Sequence, residues 1–552
     1  MTRRRAEAAL VATLGRMGWN FGDIFDAVGE VVPADRPALI HGQRSLDWGE
    51  LTRRSNNLAE QLRARGARPD DKLAIYMRNR PEYSEGLMAG IKARLVQVNI
   101  NFRYLDDELH YILDNSDARF VIFAGEFADR LAKLRDRLPQ VVSYIQVDDG
   151  SPVAPFAEAY EELANAGTGE PLDIQRSPDD LLLLYTGGTT GMPKGVMWRA
   201  GDLWEAMRRG GNIFNNNAMP SSLDEHRENL RLGTGVRQLP ACPIMHGTGL
   251  FTAMGALAGG GTLVTLESQN FDPHELWAAV ERQRVQSIVI VGDAFAKPLL
   301  RALDERSGAY DLSSLLQIIS SGVMWSPEVK QGLLKHSQRL ILVDAFGSSE
   351  AIGFGTSVTT ARGVSRGARF QIGENCKVFS EDGREIEPGS GEPGLVARCG
   401  PIPQGYYKDP EQTARTFPEI NGVRYSIPGD WCLVEADGTL NLLGRGSVCI
   451  NTGGEKVYPE EVEEALKTHP DVEDAVVVGV PDEKWGQAVT GVVELRGAAE
   501  LDEAGLRQHV RGQLAGFKVP KRILAVASVG RAVNGKADYA GIQALALERL
   551  KD

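Results

Sequence analysis

A stretch rich in glycine and threonine, residues 185–195, has the residue types that bind a polyanion. It reads Tyr-Thr-Gly-Gly-Thr-Thr-Gly-Met-Pro-Lys-Gly and follows four leucines, Leu181–Leu184. A short apolar run that ends in glycines indicates a buried strand leading into a loop. Glycines let backbone N–H groups approach a ligand closely, and hydroxyls and an ammonium add further donors. The predicted phosphate-binding residues are Thr186, Gly187, Gly188, Thr189, Thr190, Gly191 and Lys194.

This loop differs from a Walker A loop, in which a Gly-Lys pair is followed by Ser or Thr. Here Pro193 precedes Lys194 and Gly195 follows it. A flexible surface turn is the alternative interpretation. Three threonines and a lysine within one glycine loop favour the binding interpretation.

A second candidate nucleotide segment begins where the predicted strand Leu340–Val343 ends. It reads Asp-Ala-Phe-Gly-Ser-Ser-Glu over residues 344–350. Open α/β sheets bind ligands beyond the carboxyl ends of their strands. An aromatic ring would stack on a purine, a hydroxyl would bond phosphate, and a carboxylate would hold Mg²⁺, which prefers oxygen ligands. The candidates are Asp344, Phe346, Gly347, Ser349 and Glu350; a helix cap explains the last three residues of the segment equally well.

Together the two segments resemble motifs of the adenylate-forming enzymes, a superfamily that includes acyl-CoA synthetases, adenylation domains of peptide synthetases and luciferases. The family loop usually begins Thr-Ser-Gly, and Gly187 replaces that serine. The family's Tyr-Gly-x-Thr-Glu motif is matched with Phe346 for tyrosine and Ser349 for threonine. Residues 196–199 (Val-Met-Trp-Arg) and 320–325 (Ser-Ser-Gly-Val-Met-Trp) most resemble bacterial fatty-acyl or steroid-side-chain CoA ligases. The resemblance to the superfamily extends from about residue 20 to 540.

The resemblance assigns roles to further residues. His246, in a Pro-x-x-His-x-x-Gly pattern, would sit where the carboxylate enters, and Gly322 would lie against adenine and the acyl pocket. Asp430 and Arg445 would hold the ribose, since one carboxylate can accept from both hydroxyls. A buried structural histidine, a β-turn and surface charges are the respective alternatives.

The resemblance also implies a mobile C-terminal part. Ser447 falls at the hinge position, where the family usually carries Asp or Lys. Gly453 and Gly454 would let the thiol arm of CoA pass close to the backbone, and Lys456 would meet a phosphate of CoA. Lys536 would bond the attacking carboxylate and the α-phosphate, because two anions must approach each other while charge grows on the phosphorus oxygens.

Composition limits the class of protein. The chain has 552 residues, 42% of them hydrophobic and 24% charged, which predicts a globular protein of more than one domain. The net charge of −13 argues against nucleic-acid binding. The five cysteines show no CxxC spacing, which favours a reducing cytoplasm and gives no metal signature. No apolar run reaches the length of a membrane helix, while peripheral membrane contact and oligomerisation stay open.

The order of elements predicts an α/β protein. Strands alternate with helices before residue 350, which predicts parallel-rich sheets. Short strands and Gly/Pro turns over residues 370–443 predict a small antiparallel, β-barrel-like part. We therefore expect an adenylation domain over 1–446 and a small mobile α+β lid over 447–552. The polar stretch 215–235 is expected to be a flexible insertion.

We therefore expect an acyl-CoA synthetase of lipid metabolism that uses ATP, Mg²⁺ and coenzyme A. A carboxylic acid of medium or long chain, or a steroid side-chain acid, would be converted to acyl-AMP and then to its thioester. The alternatives are an adenylation enzyme that loads a carrier protein, an aryl-acid CoA ligase, a luciferase-like oxygenase and a catalytically silent nucleotide-binding protein.

Overall fold

The computed structural model of the chain describes most of its residues. The described ranges are 19–186, 192–209, 220–233, 235–323, 325–363, 369–445, 448, 450–452, 455–482, 486–514, 516–531 and 535–550. These residues form two compact units. The first unit takes its residues from Met1–Ser365, Gly373–Asn375 and Arg398–Ser426, and the second from Arg366–Ile372, Cys376–Ala397 and Ile427–Asp552. The expected boundary at 446/447 stays a prediction.

The strands of the described residues are β1 Pro37–His41, β2 Arg44–Asp47, β3 Lys72–Tyr76, β4 Val96–Asn99, β5 Ala118–Ala124, β6 Ser143–Val147, β7 Glu158–Ala159, β8 Leu181–Thr186, β9 Lys194–Arg199, β10 Arg237–Pro240, β11 Thr262–Thr265, β12 Ser287–Ile290, β13 Gln317–Ser321, β14 Ile341–Ser348, β15 Ala351–Thr359, β16 Arg369–Ile372, β17 Cys376–Phe379, β18 Pro393–Arg398, β19 Gly405–Tyr406, β20 Glu419–Ile420, β21 Val423–Arg424, β22 Asp430–Val434, β23 Leu440–Arg445, β24 Ile450–Thr452, β25 Glu455–Val457, β26 Val472–Asp482, β27 Gly486–Leu495 and β28 Arg522–Val526.

The α-helices of the described residues are α1 Phe21–Val31, α2 Trp48–Ala64, α3 Pro81–Lys92, α4 Asp106–Asn115, α5 Ala128–Leu134, α6 Tyr160–Ala164, α7 Ala200–Arg209, α8 Leu223–Leu232, α9 Gly247–Ala258, α10 Pro273–Gln283, α11 Asp293–Glu305, α12 Pro327–His336, α13 Pro410–Thr416, α14 Pro459–Lys467, α15 Glu503–Arg511 and α16 Tyr539–Arg549.

The first unit contains two sheets that are mostly parallel. One has the strand order β19-β9-β8-β4-β3-β5-β6-β7, with β9 antiparallel to both of its neighbours. The other runs β15-β14-β13-β12-β10-β11-β1-β2, and its antiparallel pairs, β14 with β15 and β1 with β2, lie at its ends. The parallel strands confirm the predicted α/β class, and their carboxyl ends define the sheet edges where ligands bind.

The second unit is built differently. Strands β17, β18, β22, β23 and β16 lie side by side in that order, and the pairs of β22 with β18 and β23 are antiparallel. The C-terminal part has the sheet β25-β24-β27-β26, with β28 parallel to β27, and its helix α14 packs on β26. These strands and helices confirm the antiparallel part expected over 370–443 and the α+β character of the C-terminal part.

Local signals explain where several helices begin. Helices α3, α12 and α14 each start with a proline, whose fixed φ suits the first turn. The sequence pattern predicts helices over residues 106–115 and 459–467, and α4 and α14 have these bounds. Buried apolar side chains on the inner faces of these elements form the cores.

Two expectations were wrong. Part of the polar stretch 215–235 is helix α8, which Ser222 caps through a 3.1 Å hydrogen bond from the N–H of Glu225. His226 and Leu230 of this helix are buried, which anchors it. The strand expected to end at Val343 continues to Ser348 and turns back into β15, so no helix follows it. The rest of the polar stretch before residue 220 lies outside the described residues.

Candidate nucleotide and acid site

The two ends of the predicted phosphate loop are fixed opposite each other in the first unit. Strands β8 and β9 are antiparallel, and Thr186 is paired with Lys194 across them. Gly187, Gly188, Thr189, Thr190 and Gly191 lie outside the described residues. The apolar β8 is largely buried, as expected. The two described ends of the segment are therefore neighbours in one antiparallel strand pair.

The ammonium of Lys194 lies close to a carboxylate and to an aromatic ring. Its Nζ lies 2.9 Å from Asp409 Oδ2 and 5.7 Å from the centre of the Tyr406 ring. The backbone N–H of Gln412 and the ammonium of Lys194 hold the pKa of Asp409 below its ordinary value. A phosphate that engaged Lys194 would therefore compete with an ionised carboxylate.

The histidine segment begins helix α9. His246 is the N-cap residue of this helix. A Cβ added at Gly249 would lie 2.4 Å from the carbonyl oxygen of Pro243, so only glycine allows this close approach. The predicted Pro-x-x-His-x-x-Gly spacing thus has a packing reason, because the first turn of α9 lies against the turn that carries the histidine.

Gly247 lies where three segments of the first unit come close together. A Cβ at this position would lie 3.2 Å from Leu184 Cδ2 and 3.7 Å from Ser349 Oγ. The indole N–H of Trp198 donates to the carbonyl of Ser349 at 2.8 Å. The structure therefore brings the strand before the phosphate loop, the histidine helix and the turn after β14 to one place.

Gly322 joins the same neighbourhood. It has a φ of +100°, a conformation that favours glycine, and its added Cβ would lie 3.9 Å from Thr248 Oγ1. It directly follows strand β13. The segment predicted to face adenine and the acyl chain thus lies next to helix α9; Met324, nearby in the chain, lies outside the described residues, and Trp325 is buried in the core.

Phe346, Gly347 and Ser349 lie in or beside the turn between β14 and β15. Phe346 is paired with Gly355 and packs on Phe354, with ring centres 5.2 Å apart. A Cβ at Gly347 would lie 3.0 Å from the carbonyl oxygen of Ala351, which makes the turn tight. Stacking of Phe346 on adenine stays a prediction.

Glu350 is held by three contacts. Its Oε1 accepts from the hydroxyl of Tyr406 at 2.9 Å, its carbonyl accepts from Ser426 Oγ at 2.7 Å, and its N–H donates to Ser348 Oγ at 3.2 Å. The residue is 9% exposed. A single carboxylate with one oxygen engaged by a phenol fits Mg²⁺, which proteins commonly hold through one or two carboxylates together with phosphate oxygens.

Asp344 forms a buried ion pair with Lys330, and the ammonium also lies 5.5 Å from the centre of the Trp325 ring. Burial raises the pKa of Asp344, although Lys330 opposes the rise. The carboxylate therefore has a protein partner within β14, at a position where the sequence predicts nucleotide contact.

The second unit contains the remaining candidates. Asp430 and Arg445 are directly opposite on the antiparallel strands β22 and β23, and their shared role at the ribose stays a prediction. Lys456 lies in strand β25, where only its backbone is described. Ser447, Gly453 and Gly454 lie outside the described residues.

Lys536 is exposed and follows Gly535. The guanidinium of Arg531 donates to the carbonyl of Gly535 at 3.4 Å and pairs with Asp474 at 2.6 and 3.0 Å. Arg531 therefore connects the backbone beside Lys536 to strand β26.

Four side chains that support the predicted site residues were not assigned this role from the sequence. Tyr406 donates to Glu350, Asp409 pairs with Lys194, and Lys330 pairs with Asp344. Arg531 donates to the carbonyl of Gly535, the residue before Lys536. Of these four, Arg531 had a local signal, because Gly530-Arg531 stands in place of Pro-Arg in the family's Pro-Arg-x-x-x-Gly-Lys pattern. The others come from distant parts of the chain and carry no motif of their own.

Comparison with known proteins assigns the chain to a family. Residues 25–407 match the AMP-binding enzyme family, and residues 461–536 match the AMP-binding enzyme C-terminal domain. The first match alone covers more than half of the chain. The protein belongs to the AMP-binding enzyme family.

Similar proteins are ligases. The 3-oxocholest-4-en-26-oate–CoA ligase of Rhodococcus rhodochrous is 41% identical over 532 residues, which are 95% of either chain. The medium/long-chain-fatty-acid–CoA/3-oxocholest-4-en-26-oate–CoA ligase of Mycolicibacterium smegmatis is 40% identical over 97% of this chain and 98% of that protein. The crystal structure of the anthranilate CoA ligase AuaEII in complex with anthranoyl-AMP shares the fold, with a TM-score of 0.83, 20% identity, and coverage of 97% of this chain and 99% of that chain.

No helix of the described ranges is both long enough and apolar enough to cross a lipid bilayer.

Proposed function

We propose that the protein is an AMP-forming acyl-CoA synthetase that uses ATP, Mg²⁺ and coenzyme A. One observation carries the proposal: Gly247, beside His246, lies between Leu184 before the phosphate loop and Ser349 before Glu350. In this proposal the acid's carboxylate, the phosphate loop and Glu350 act on one reacting phosphorus atom, and the closeness of Leu184, Gly247 and Ser349 supports it.

In the first step, the acid's carboxylate oxygen attacks the α-phosphorus of ATP, and pyrophosphate leaves as acyl-AMP forms. Residues 187–194 hold the β- and γ-phosphates through backbone N–H groups, hydroxyls and the ammonium of Lys194. Mg²⁺, when bound, would neutralise phosphate charge beside Glu350. Phe346 stacks on adenine, while Asp430 and Arg445 hold the ribose.

Lys536 supplies the cation that the attack requires. Charge grows on the phosphorus oxygens in the transition state, and an oriented donor there lowers the barrier. Lys536 bonds the attacking carboxylate and the α-phosphate in this step only. An exposed lysine on the C-terminal part of the chain suits a group that must arrive and then leave.

In the second step, the C-terminal part turns about Ser447, and Lys536 withdraws. Gly453, Gly454 and Lys456 then accompany the CoA arm, whose thiolate attacks the acyl carbonyl while AMP leaves. No cysteine nucleophile takes part. The boundary between the adenylation domain and the mobile lid lies at 446/447 in this proposal.

We infer that the acid is apolar, either a medium- or long-chain fatty acid or a steroid side-chain acid. The names of the two ligases that are about 40% identical over nearly their whole length support this class. An aryl acid and a carrier-protein acceptor are the alternatives. The few cysteines, which lack CxxC spacing, support a cytoplasmic location.

The test is a panel of acids assayed for AMP release with and without CoA. Fatty acids and steroid side-chain acids are expected to give CoA-dependent AMP release above that of benzoate-type acids. ATP–pyrophosphate exchange without CoA-dependent release would favour a carrier-protein acceptor. An absence of exchange with every acid would refute adenylation.

A further inference from the structure

Side-chain amides hold the middle and the end of the irregular segment that leads to His246, while the N–H of its first residue, Ala241, donates to the carbonyl of Val289 in β12 at 2.9 Å. Residues 241–246 lie between β10 and α9, outside the helices and strands. Cys242, Ile244 and Met245 are each no more than 2% exposed. Buried backbone N–H and C=O groups require hydrogen-bond partners, and two asparagines provide several of them.

Asn79 holds the middle of this segment. Its side-chain amide donates to the carbonyl of Cys242 at 3.0 Å and accepts from the N–H of Ile244 at 2.7 Å. Asn79 lies just beyond the carboxyl end of β3 in the sheet that contains β8. One side chain thus makes the hydrogen bonds to two backbone groups that a neighbouring strand would otherwise make.

Asn99 holds the end of the segment and a second element as well. Its Nδ2 donates to the carbonyl of Met245 at 2.6 Å and to that of Tyr185 at 3.0 Å, and its Oδ1 accepts from the N–H of Tyr185 at 2.6 Å. Asn99 is the last residue of β4 and is 3% exposed. It therefore links the residue before His246 to the residue before Thr186.

We propose that Asn99, assisted by Asn79, is a positioning residue for the adenylation step. It fixes the distance between the histidine segment, where the carboxylate enters, and the strand that leads into the phosphate loop. This inference rests on the proposed function. Neither asparagine contacts a reacting atom in this proposal; both act through the backbone that carries His246.

The two ends of this link differ in how firmly they are held without Asn99. Tyr185 is paired with Gly195 in the β8–β9 ladder, so strand β8 has another support. Met245 lies outside any strand. Loss of Asn99 is therefore expected to shift the histidine segment and leave the phosphate loop in place, which separates acid use from nucleotide binding.

Asn57 offers a matched control in the same unit. It is 1% exposed, its amide donates to the carbonyl of Ala164 at 3.0 Å, and it accepts from the N–H of Gly169 at 2.7 Å. Asn57→Ala removes the same kind of buried amide clamp from a loop that has no part in the proposed site. Asn57→Ala is therefore expected to lower the stability of the protein without changing its activity.

The experiment compares Asn99→Ala, Asn79→Ala and Asn57→Ala in the full-length protein. The measurements are the thermal midpoint, the affinity for ATP without acid, and the kcat and KM of acid-dependent ATP–pyrophosphate exchange. All three variants are expected to lower the thermal midpoint. Asn99→Ala is expected to lower kcat/KM for the acid roughly 10- to 100-fold, since small misplacements of reacting groups cost that much. Its affinity for ATP should be retained. Asn57→Ala is expected to keep the wild-type kcat/KM.

Equal kcat/KM values in the Asn99→Ala and Asn57→Ala proteins would overturn the inference and leave the proposed function intact. If Asn99→Ala fails to fold, Asn79→Ala decides, because Asn79 is only partly buried; wild-type kcat/KM in that variant would then overturn the inference. A wild-type protein without exchange on any acid would overturn the proposed function itself.

Discussion

The hydroxyl of Tyr406 donates a hydrogen bond to Glu350 Oε1 at 2.9 Å, although the two residues are 56 positions apart in the chain. The phenol engages one carboxylate oxygen and leaves the other for a cation. Partners of this kind orient a metal ligand without touching the metal. Tyr406 would therefore set the direction in which Glu350 presents its second oxygen.

Tyr406→Phe is expected to raise the Mg²⁺ concentration needed for half-maximal ATP–pyrophosphate exchange by roughly tenfold, the usual cost of losing such a partner. The reason is the freed rotation of the Glu350 side chain. A Mg²⁺ titration of the exchange rate measures the effect, and Mn²⁺ binding followed by electron paramagnetic resonance checks it without turnover.

Tyr407→Phe is the control for this prediction. It removes a neighbouring phenol that donates to Asp117 at 2.7 Å, away from Glu350. Its Mg²⁺ dependence should match that of the wild type. Equal shifts in the two variants would show that Tyr406 does not act through Glu350.

Gly249→Ala is expected to destabilise the protein by about 1–3 kcal/mol, the usual cost of overpacking. The new Cβ would lie 2.4 Å from the carbonyl oxygen of Pro243, and a backbone atom cannot move aside cheaply. The turn that carries His246 would have to shift. We therefore expect the KM for the acid to rise as well, measured by exchange kinetics beside thermal denaturation.

Gly255→Ala in the same helix is the control. The atom nearest to its added Cβ is Met207 Cε at 3.5 Å, an ordinary contact. Alanine is favoured over glycine in a helix by about 1 kcal/mol, so this variant should be slightly more stable and keep its activity. A loss of stability in Gly255→Ala similar to that in Gly249→Ala would contradict the packing explanation.

Lys536→Ala is expected to lower acyl-AMP formation by roughly 100-fold or more, the loss typical of one electrostatic donor. Thioester formation from supplied acyl-AMP should survive, because Lys536 leaves before that step. Separate assays of the two half-reactions give the measurement. Lys377→Ala removes a half-buried lysine that pairs with Glu385 in the same unit and should change neither half-reaction. Wild-type rates of the first step in Lys536→Ala would disprove the role of Lys536.

The sequence predicted the elements better than the contacts between them. Helices α4 and α14 have strong local signals, such as acidic first turns and an initial proline in α14, and their bounds were correct. The hairpin after Asp344 was missed because its serines and glutamate fit a helix cap equally well. Nothing local distinguishes the two, and pairing with β15 decided the outcome.

The residues of the candidate site were likewise predicted only where a local sequence pattern exists. The glycine loop, His246 and Lys536 were found because their spacing matches a family pattern. Tyr406 and Asn99 act on backbone or carboxylate groups that lie far away in sequence. Their partners follow from how strands β19 and β4 lie in the sheet, which no local pattern specifies.

The ion pair between Arg531 and Asp474 gives a pH-dependent prediction for the second unit. Burial would raise the pKa of Asp474, but hydrogen bonds and charge from Arg531 outweigh burial and lower it. A carboxyl whose pKa is lower in the folded state stabilises that state above its unfolded pKa of about 3.9. This contribution is lost as the pH falls through the lower folded value.

Asp474→Asn is therefore expected to destabilise the protein by about 1.5–3 kcal/mol near neutral pH, the range for hydrogen bonds to charged groups. Thermal midpoints of wild type and variant, measured from pH 7 downward, should differ most above about pH 5 and converge only as the pH falls below about 4 and through the lower folded pKa of Asp474. A difference that grew on acidification would contradict the pairing.

The Asp474→Asn variant should also slow acyl-AMP formation more than thioester formation, because Arg531 contacts the carbonyl of Gly535 beside Lys536. Equal slowing of both half-reactions would mean that Arg531 stabilises the fold without positioning Lys536.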